Sequence, residues 1–248
     1  MANCYYPGCT EYANTKEHIP PKSFFPEKKK IDLMTVKSCP KHNNEKTKDD
    51  IYALAQICYN VIKDVSDLDA TNVFENKVFP QLKHNNSALE RTIMRNRVRI
   101  PGGYEFPVDT SRMDSFFDCL THGVIFKKIK MKADLESYRL RHVYRDFNHK
   151  FSDPNDEKMH EGMLSYMDGY MLSDMLSSIN FSFIDKRLRN QEIYNVKIIG
   201  ADSLAHGEDL TSSLTVVHTF YEKFRVISLL TRVANFEKSA IHIAGHPR

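Results

Sequence analysis

The spacing of apolar residues predicts helices after residue 46. Thr47-Lys48-Asp49-Asp50 is typical of a helix start, with a cap residue and acids in the first turn. Apolar residues then recur every three or four positions, as on one helix face, at Ile51, Leu54, Ala55, Cys58, Ile62 and Val65. The same period predicts further helices over residues 67–83, 86–97, 110–128 and 156–179.

Strand-like runs lie between and after these helices. They are rich in β-branched and aromatic residues and cover residues 138–144, 193–199, 215–221 and 224–230. Glu222-Lys223 joins the last two runs, which indicates a hairpin. A methionine at every fourth position indicates a seam in the core or at an interface, formed by Met159, Met163, Met167, Met171 and Met175. This mixture predicts an α+β region that supplies most of the core.

The first fifty residues have a different pattern. They are rich in Cys, Pro, Lys and Asn, and their apolar residues stand in short groups without a period. We expect loops, a short hairpin and the start of a helix, with too little apolar mass for a core. A folded segment of this size needs a staple such as a metal ion. The predicted fold class is therefore α+β, with a small metal-stapled module over residues 1–62 and a larger mixed α+β domain over residues 63–248.

Composition sets wider limits. The chain has 248 residues, of which 41% are hydrophobic and 27% charged, so it can bury a core and is not disordered throughout. No apolar run approaches the roughly 18 to 20 residues of a membrane-spanning helix, and no signal-peptide pattern opens the chain. Five cysteines are too few, and odd in number, for a disulfide scaffold. We expect a cytoplasmic protein without a membrane partner.

The net charge of +3 conceals a basic middle third. Residues 77–150 carry 15 Lys and Arg against 8 acids, a local charge of about +7. Arg91 and Arg95 are four apart on a predicted helix, and Arg139 and Arg141 share one side of a predicted strand. These four arginines are candidate contacts to a nucleic-acid backbone. A solvated polar face explains them equally well.

Four potential metal ligands stand in two pairs, Cys4-x4-Cys9 and Cys39-x2-His42. Paired Cys and His ligands on either side of an intervening segment commonly build a tetrahedral Zn²⁺ site. We therefore expect these four side chains to bind a structural zinc ion. The alternative is a set of unrelated buried thiols and a surface histidine. The other two cysteines, at 58 and 119, are interpreted as small buried hydrophobes.

Lys16-Glu17-His18-Ile19-Pro20-Pro21-Lys22 lies between the two pairs, and Asn43-Asn44-Glu45-Lys46 follows the second pair. In this order the residues resemble the HNH (ββα-metal) endonuclease family, in its branch with a zinc knuckle. Members of that branch have an acid-His-Ile/Val-x-Pro segment, an Asn before a strand, and a knuckle that continues into Asn and Lys on a helix. The resemblance covers about residues 4–50, and its strength lies in the order of the pieces.

The resemblance implies a ββα-metal fold for the module and hydrolysis of phosphodiester bonds in DNA with Mg²⁺ or Mn²⁺. It implies that His18 is the general base and that Glu17 and Asn43 hold the catalytic ion. Lys46 lies about one helical turn after Asn43, where it can meet a phosphate. Asp32 takes the place of the family's middle Asn, which orients the base. The setting that the resemblance suggests is a bacterial restriction or phage-defence system.

Two departures from the family pattern leave alternatives open. Asp32 brings a charge where the family has an amide, and His42 stands where a cysteine is commoner. A shifted register makes His42 a catalytic-metal ligand and leaves the zinc site with three cysteines. A competing hypothesis is a non-catalytic zinc-binding module that docks nucleic acid or protein. RNA is an alternative substrate, and residues 63–248 are a candidate surface for a protein partner or a second copy.

Overall fold

The computed structural model describes residues 3–62, 67–130, 132–133, 136–145, 147, 153–172, 190–199 and 214–233. Within them the fold is mixed α+β. No helix among these residues is long and apolar enough to cross a membrane.

The N-terminal part forms two strands followed by helices. Strands β1 (Thr15–His18) and β2 (Thr35–Ser38) pair antiparallel. Helix α1 (Pro40–Asn44) and helix α2 (Thr47–Val61) follow. Cys39 is extended and precedes a proline at the first position of α1, where the fixed φ of proline favours a helix start. The predicted short hairpin and helix start are confirmed.

The next elements are helix α3 (Leu68–Val73), a π turn (Phe74–Val78) and helix α4 (Phe79–Ile93). The backbone leaves the helical region at residues 84–87, where two asparagines and a serine adopt positive φ. Asparagine tolerates this conformation better than most residues, because its side chain bonds locally. The two helices predicted over residues 67–83 and 86–97 are therefore confirmed as separate segments, although the second ends at Ile93.

A short hairpin follows α4. Strands β3 (Val98–Ile100) and β4 (Gly103–Glu105) pair antiparallel across a tight turn. Gly102 has a φ of 88° in this turn, which an L-residue rarely adopts. All six strand residues are exposed. The apolar pattern does not predict these strands, because three residues are too few to show an alternation.

Helix α5 (Thr110–Ile129) crosses the molecule. The Asp109 carboxylate accepts a hydrogen bond from the Arg112 backbone N–H at its start, and Lys130 ends it in the left-handed region. This confirms the helix predicted over residues 110–128.

Four strands form an antiparallel sheet in the order β5-β8-β7-β6. They are β5 (Tyr138–Tyr144), β6 (Tyr194–Ile199), β7 (Leu214–Phe220) and β8 (Phe224–Arg232), and they confirm the four predicted strand-like runs. β7 and β8 form the predicted hairpin around residues 222–223. Helix α6 (Pro154–Leu172) confirms the start of the helix predicted over residues 156–179, whose last seven residues lie outside the described ones.

One hydrophobic cluster runs from the N-terminal residues to the sheet. It contains Cys4 and Tyr5, the buried face of α2, Phe116 and Phe117 of α5, and one face of the sheet. The division into modules at residue 62 stays a prediction, although both parts contribute to this one cluster.

A smaller cluster on the other sheet face joins Val143, Val217 and Ile227 to Met163 and Leu164 of α6. Met163 belongs to the predicted methionine seam, and Met159, Met167, Met171 and Met175 lie outside the described side chains.

Candidate metal centre and the neighbouring site

Four predicted ligands meet at one point and form the Cys/His cluster (Cys4, Cys9, Cys39 and His42). Their ligand atoms all lie within 4.8 Å of one another. The His42 Nδ1 atom is 3.3 Å from the Cys39 Sγ atom and 3.5 Å from the Cys4 Sγ atom. The Cys9 and Cys39 Sγ atoms are 3.9 Å apart.

These separations fit a tetrahedral ion. Zinc–ligand bonds of about 2.3 Å to sulfur and about 2.1 Å to nitrogen place ligand atoms roughly 3.6 to 3.8 Å apart. The cluster can therefore hold a metal ion such as zinc, with three thiolates and one imidazole. Unrelated thiols beside a surface histidine do not explain this convergence.

The local backbone brings the first pair of cysteines to the second. The Cys9 N–H donates to the Tyr6 carbonyl across a turn in which Gly8 has a φ of 69°. The Tyr5 N–H donates to the Lys37 carbonyl of β2, which ties this loop to the strand that leads to Cys39. The turn and the strand contact together fix the spacing of the ligands.

Surrounding groups orient the cluster. The Tyr6 ring stacks on the His42 imidazole, with ring centroids 4.2 Å apart and planes 12° from parallel. Burial opposes ionisation of the Cys4 thiol, but hydrogen bonds to the backbone at Tyr6 and Cys39 hold its pKa below the usual value. A thiolate is the form that binds metal.

Glu17 lies on the buried side of β1 and forms an ion pair with Lys46, just after α1. The Tyr5 hydroxyl donates to Glu17 Oε1 at 3.1 Å and lies 3.3 Å from the Cys119 carbonyl oxygen. Glu17 Oε2 is buried and has no hydrogen-bond partner. The strand that carries Glu17 and the helical segment that carries Lys46 therefore meet, and one carboxylate oxygen is left available.

Lys46 lies between two carboxylates. Its Nζ is also 3.5 Å from Asp50 Oδ1, and only 9% of the residue is exposed. Burial alone would lower the pKa of Lys46, but the charges of Asp50 and Glu17 raise it above the usual value. Burial likewise raises the pKa of Asp50 to about 6. The lysine is therefore a charged group in a largely dry environment.

His18 follows Glu17 on β1 and is half-buried, opposite Thr35 in the strand pair. Adjacent strand residues point to opposite faces, so its imidazole is on the other side of the strand from the ion pair. Burial, together with the charge of Lys22, lowers its pKa below the usual value.

Asn43 is half-buried on α1, which packs against β1, and its backbone N–H donates to the Cys39 carbonyl. Asp32 is exposed in the bend that leads into β2 and has a φ of 54°. Asn and Asp are the two residues that enter the left-handed region most readily. This backbone requirement accounts for an Asp at this bend.

A cleft of about 630 Å³ lies beside the Cys/His cluster, and sequence reasoning did not find it. Lys41, Glu45 and Lys46 line one side, and residues of the first half of α5, including Ser111, Asp114 and Asp118, line the other. His18, Asp32 and Asn43 do not line it. The available indication in the sequence is a pair of aspartates four residues apart on the predicted helix, Asp114 and Asp118.

A chain of buried hydrogen bonds, the polar chain, runs from this cleft across the sheet. Asp118 Oδ1 lies 3.0 Å from His142 Nε2, and His142 Nδ1 lies 2.8 Å from the Ser228 hydroxyl. Thr121 donates to Ser228 at 3.0 Å. The Thr121 hydroxyl is also 3.0 Å from His218 Nε2, and the Tyr194 hydroxyl lies 2.9 Å from His218 Nδ1.

When both histidines are neutral and protonated on Nε2, each contact of the polar chain has one hydrogen-bond donor and one acceptor. Burial, together with the neighbouring His142, lowers the pKa of His218 to about 3. The sequence shows two histidines without any ligand-type pairing, because their partners are distant along the chain.

The four arginines that are candidate nucleic-acid contacts lie in two separate regions of the fold. Arg91 is exposed on α4, but α4 ends at Ile93, so Arg95 lies in the following turn. The prediction that these two arginines share a helix face is wrong. Arg139 is exposed and Arg141 half-buried on one side of β5, as the alternation predicts. Their contact with nucleic acid stays a prediction.

Comparison with known proteins gives no match, since no family model, no curated protein and no solved structure is similar to this chain. The residues of the chain itself are therefore the evidence for its function.

Proposed function

We propose that this chain is a metal-dependent endonuclease of the HNH type that hydrolyses phosphodiester bonds in DNA. The observation that carries the proposal is the buried contact between Glu17 and Lys46. It joins the strand with the acid-His pair to the helical segment with Asn43, next to the Cys/His cluster. The order of strands and helix is also the order that the motif requires.

In the proposed reaction the water oxygen forms a bond to phosphorus, and the bond from phosphorus to the leaving oxygen breaks. His18 accepts the proton of the attacking water, as a neutral imidazole can. Lys46 lies on the other side of β1 from the His18 ring, so it would add positive charge to the phosphate only at longer range. The half-buried position of His18 leaves its ring partly accessible to substrate.

The carboxylate of Glu17 and the amide oxygen of Asn43 would hold a Mg²⁺ or Mn²⁺ ion, which prefers oxygen ligands. Such an ion supplies charge stabilisation at the phosphoryl oxygens. The unpartnered Glu17 Oε2 atom is consistent with this role. The Cys/His cluster would hold the structural zinc, in agreement with His42 as the fourth zinc ligand rather than a catalytic one.

Plasmid cleavage tests the proposal. We expect wild-type protein to nick supercoiled DNA with Mg²⁺ or Mn²⁺, and His18→Ala to be slower by about 10²-fold or more, as for loss of a general base. His84→Ala is the matched control, because His84 is an exposed histidine at the break in α4. Cleavage at the wild-type rate by His18→Ala would contradict the assignment.

A second function, a non-catalytic zinc-binding module that docks nucleic acid or protein, is favoured by one observation. Glu17 is 3% exposed and already paired with a lysine, as in a purely structural ion pair. This hypothesis predicts no cleavage with either ion, together with tight, salt-dependent binding. A parallel RNA substrate distinguishes a ribonuclease. A restriction or phage-defence setting, a cytoplasmic location and a partner for residues 63–248 belong to the nuclease proposal.

A further inference from the structure

The β3–β4 hairpin exposes apolar side chains. Val98 is 61% exposed, Ile100 42% and Tyr104 56%. An isolated two-stranded hairpin is marginally stable in water, and a group of exposed apolar side chains usually marks a binding surface. The hairpin is therefore a candidate for contact with another molecule.

Its two faces differ in chemistry. Arg99 is directly opposite Tyr104, so the two side chains share a face. The Arg97 guanidinium lies over the Tyr104 ring, 5.5 Å from its centroid. Val98 and Ile100 point to the other face. The face formed by Arg97, Arg99 and Tyr104, here called the basic face, combines cations with an aromatic ring.

The charge around the hairpin favours a polyanion. Residues 91–105 contain four arginines and one glutamate. The nearby acid Glu90 is paired with Lys83 on α4. A phosphate backbone is the complement of such a surface.

Both ends of the hairpin are fixed to the core. Ile93 is fully buried before it, and Phe106 packs edge-on against Tyr59 of α2 after it. Tyr59 comes 13 residues after Lys46, and a helical rise of about 1.5 Å per residue places it roughly 20 Å along α2. About six base pairs of duplex cover that distance.

We propose that the β3–β4 hairpin is a DNA-binding arm whose basic face contacts the phosphate backbone of the duplex that the N-terminal site cleaves. The inference rests on the proposed function. A two-stranded ribbon has the width that the major groove of DNA admits. The arm holds the duplex about half a helical turn from the cleaved bond.

Binding of a labelled 30-base-pair duplex tests the arm. The measurement uses the full, zinc-loaded chain with His18→Ala and without Mg²⁺, so that the probe stays intact. We expect Arg97→Ala/Arg99→Ala to raise Kd at least about tenfold and to reduce the slope of log K against log salt by about two. Lys158→Ala/Lys223→Ala removes the same charge from exposed positions elsewhere.

The control double variant should bind like its parent. An unchanged Kd in Arg97→Ala/Arg99→Ala, or an equal loss in the control, would overturn the arm. A loss of binding that is seen only with a single-stranded RNA probe, and not with the duplex, would also overturn it. Failure of wild-type protein to cut plasmid, with binding still dependent on the arm, would reject the nuclease and retain the arm. Cleavage of plasmid, with binding that does not depend on the arm, would reject the arm and retain the nuclease.

Discussion

The N-terminal ββα segment and the α5–sheet region are held together by different interactions. In the first, β1, β2 and α1 bury few apolar side chains, and the Cys/His cluster and the Glu17–Lys46 ion pair connect them. In the second, aromatic rings fill the space between α5 and the sheet, and Phe117 contacts both Tyr144 and Phe220.

The two regions therefore differ in the interactions that stabilise their folded structure. The N-terminal segment contains a cluster that can hold a metal ion, and the sheet region depends on apolar area removed from water. The two parts share a core through Cys4 and Tyr5, so a perturbation in one can reach the other. Substitutions that remove one interaction at a time show whether each part stays folded when the other part is destabilised.

Loss of a zinc ligand should have the largest effect. Cys39→Ser removes the thiolate that lies near both Cys9 and His42. Zinc binding contributes about 10 kcal/mol or more to folding in zinc-finger peptides, so we expect loss of about one zinc per chain and of amide protection in residues 3–62. Metal analysis and hydrogen exchange measure both. Cys58→Ala, at a buried thiol outside the cluster, should retain zinc, and zinc retained in Cys39→Ser would disprove the site.

Loss of a core ring should have the next largest effect, in the opposite region. Phe117→Ala leaves a cavity between α5 and the sheet and should lower the free energy of unfolding by about 3 to 5 kcal/mol, with zinc retained. Denaturant unfolding measures the change. Tyr104→Ala, at an exposed aromatic, should shift it by less than about 0.5 kcal/mol. Loss of zinc from Phe117→Ala would show that metal binding in the N-terminal segment depends on the core of the sheet region.

Acid should weaken the sheet region through the polar chain. The pKa of His218 is about 3 in the fold and about 6.5 in the unfolded chain, so its contribution to stability is complete above pH 6.5 and is lost as pH falls toward 3. Between pH 7 and pH 5 this loss is about 2 kcal/mol. Unfolding at both pH values should show a smaller difference in His218→Gln. An equal difference in both proteins would mean that His218 is not buried as a neutral ring.

Much of the fold follows from local pattern. The four strands of the sheet are runs of six to nine residues rich in β-branched and aromatic side chains, and α2 repeats its apolar spacing over several turns. The four potential metal ligands can be recognised from their spacing, since each pair lies within six residues. These features are local, and a single sequence displays them.

Other features depend on contacts between distant residues. The pairing of His142 with Asp118 and Ser228 spans 24 and 86 positions, and the approach of α5 to Lys46 depends on how the whole core packs. The β3–β4 strands are too short to show a period. Arg95 was misplaced because a helix end depends on a few local backbone angles, and the apolar pattern continues past Ile93.

In the proposed nuclease, the strand carrying Glu17 and His18 is part of a hydrolytic site, and not merely one side of a structural ion pair. The single-turnover cleavage rate of Glu17→Gln, at saturating Mg²⁺ and with zinc content checked, tests it most directly. Gln keeps the shape of the side chain and leaves Lys46 paired with Asp50. We predict zinc and fold retained with a rate at least about 10²-fold lower. Cleavage at the wild-type rate would show that the carboxylate serves the fold alone.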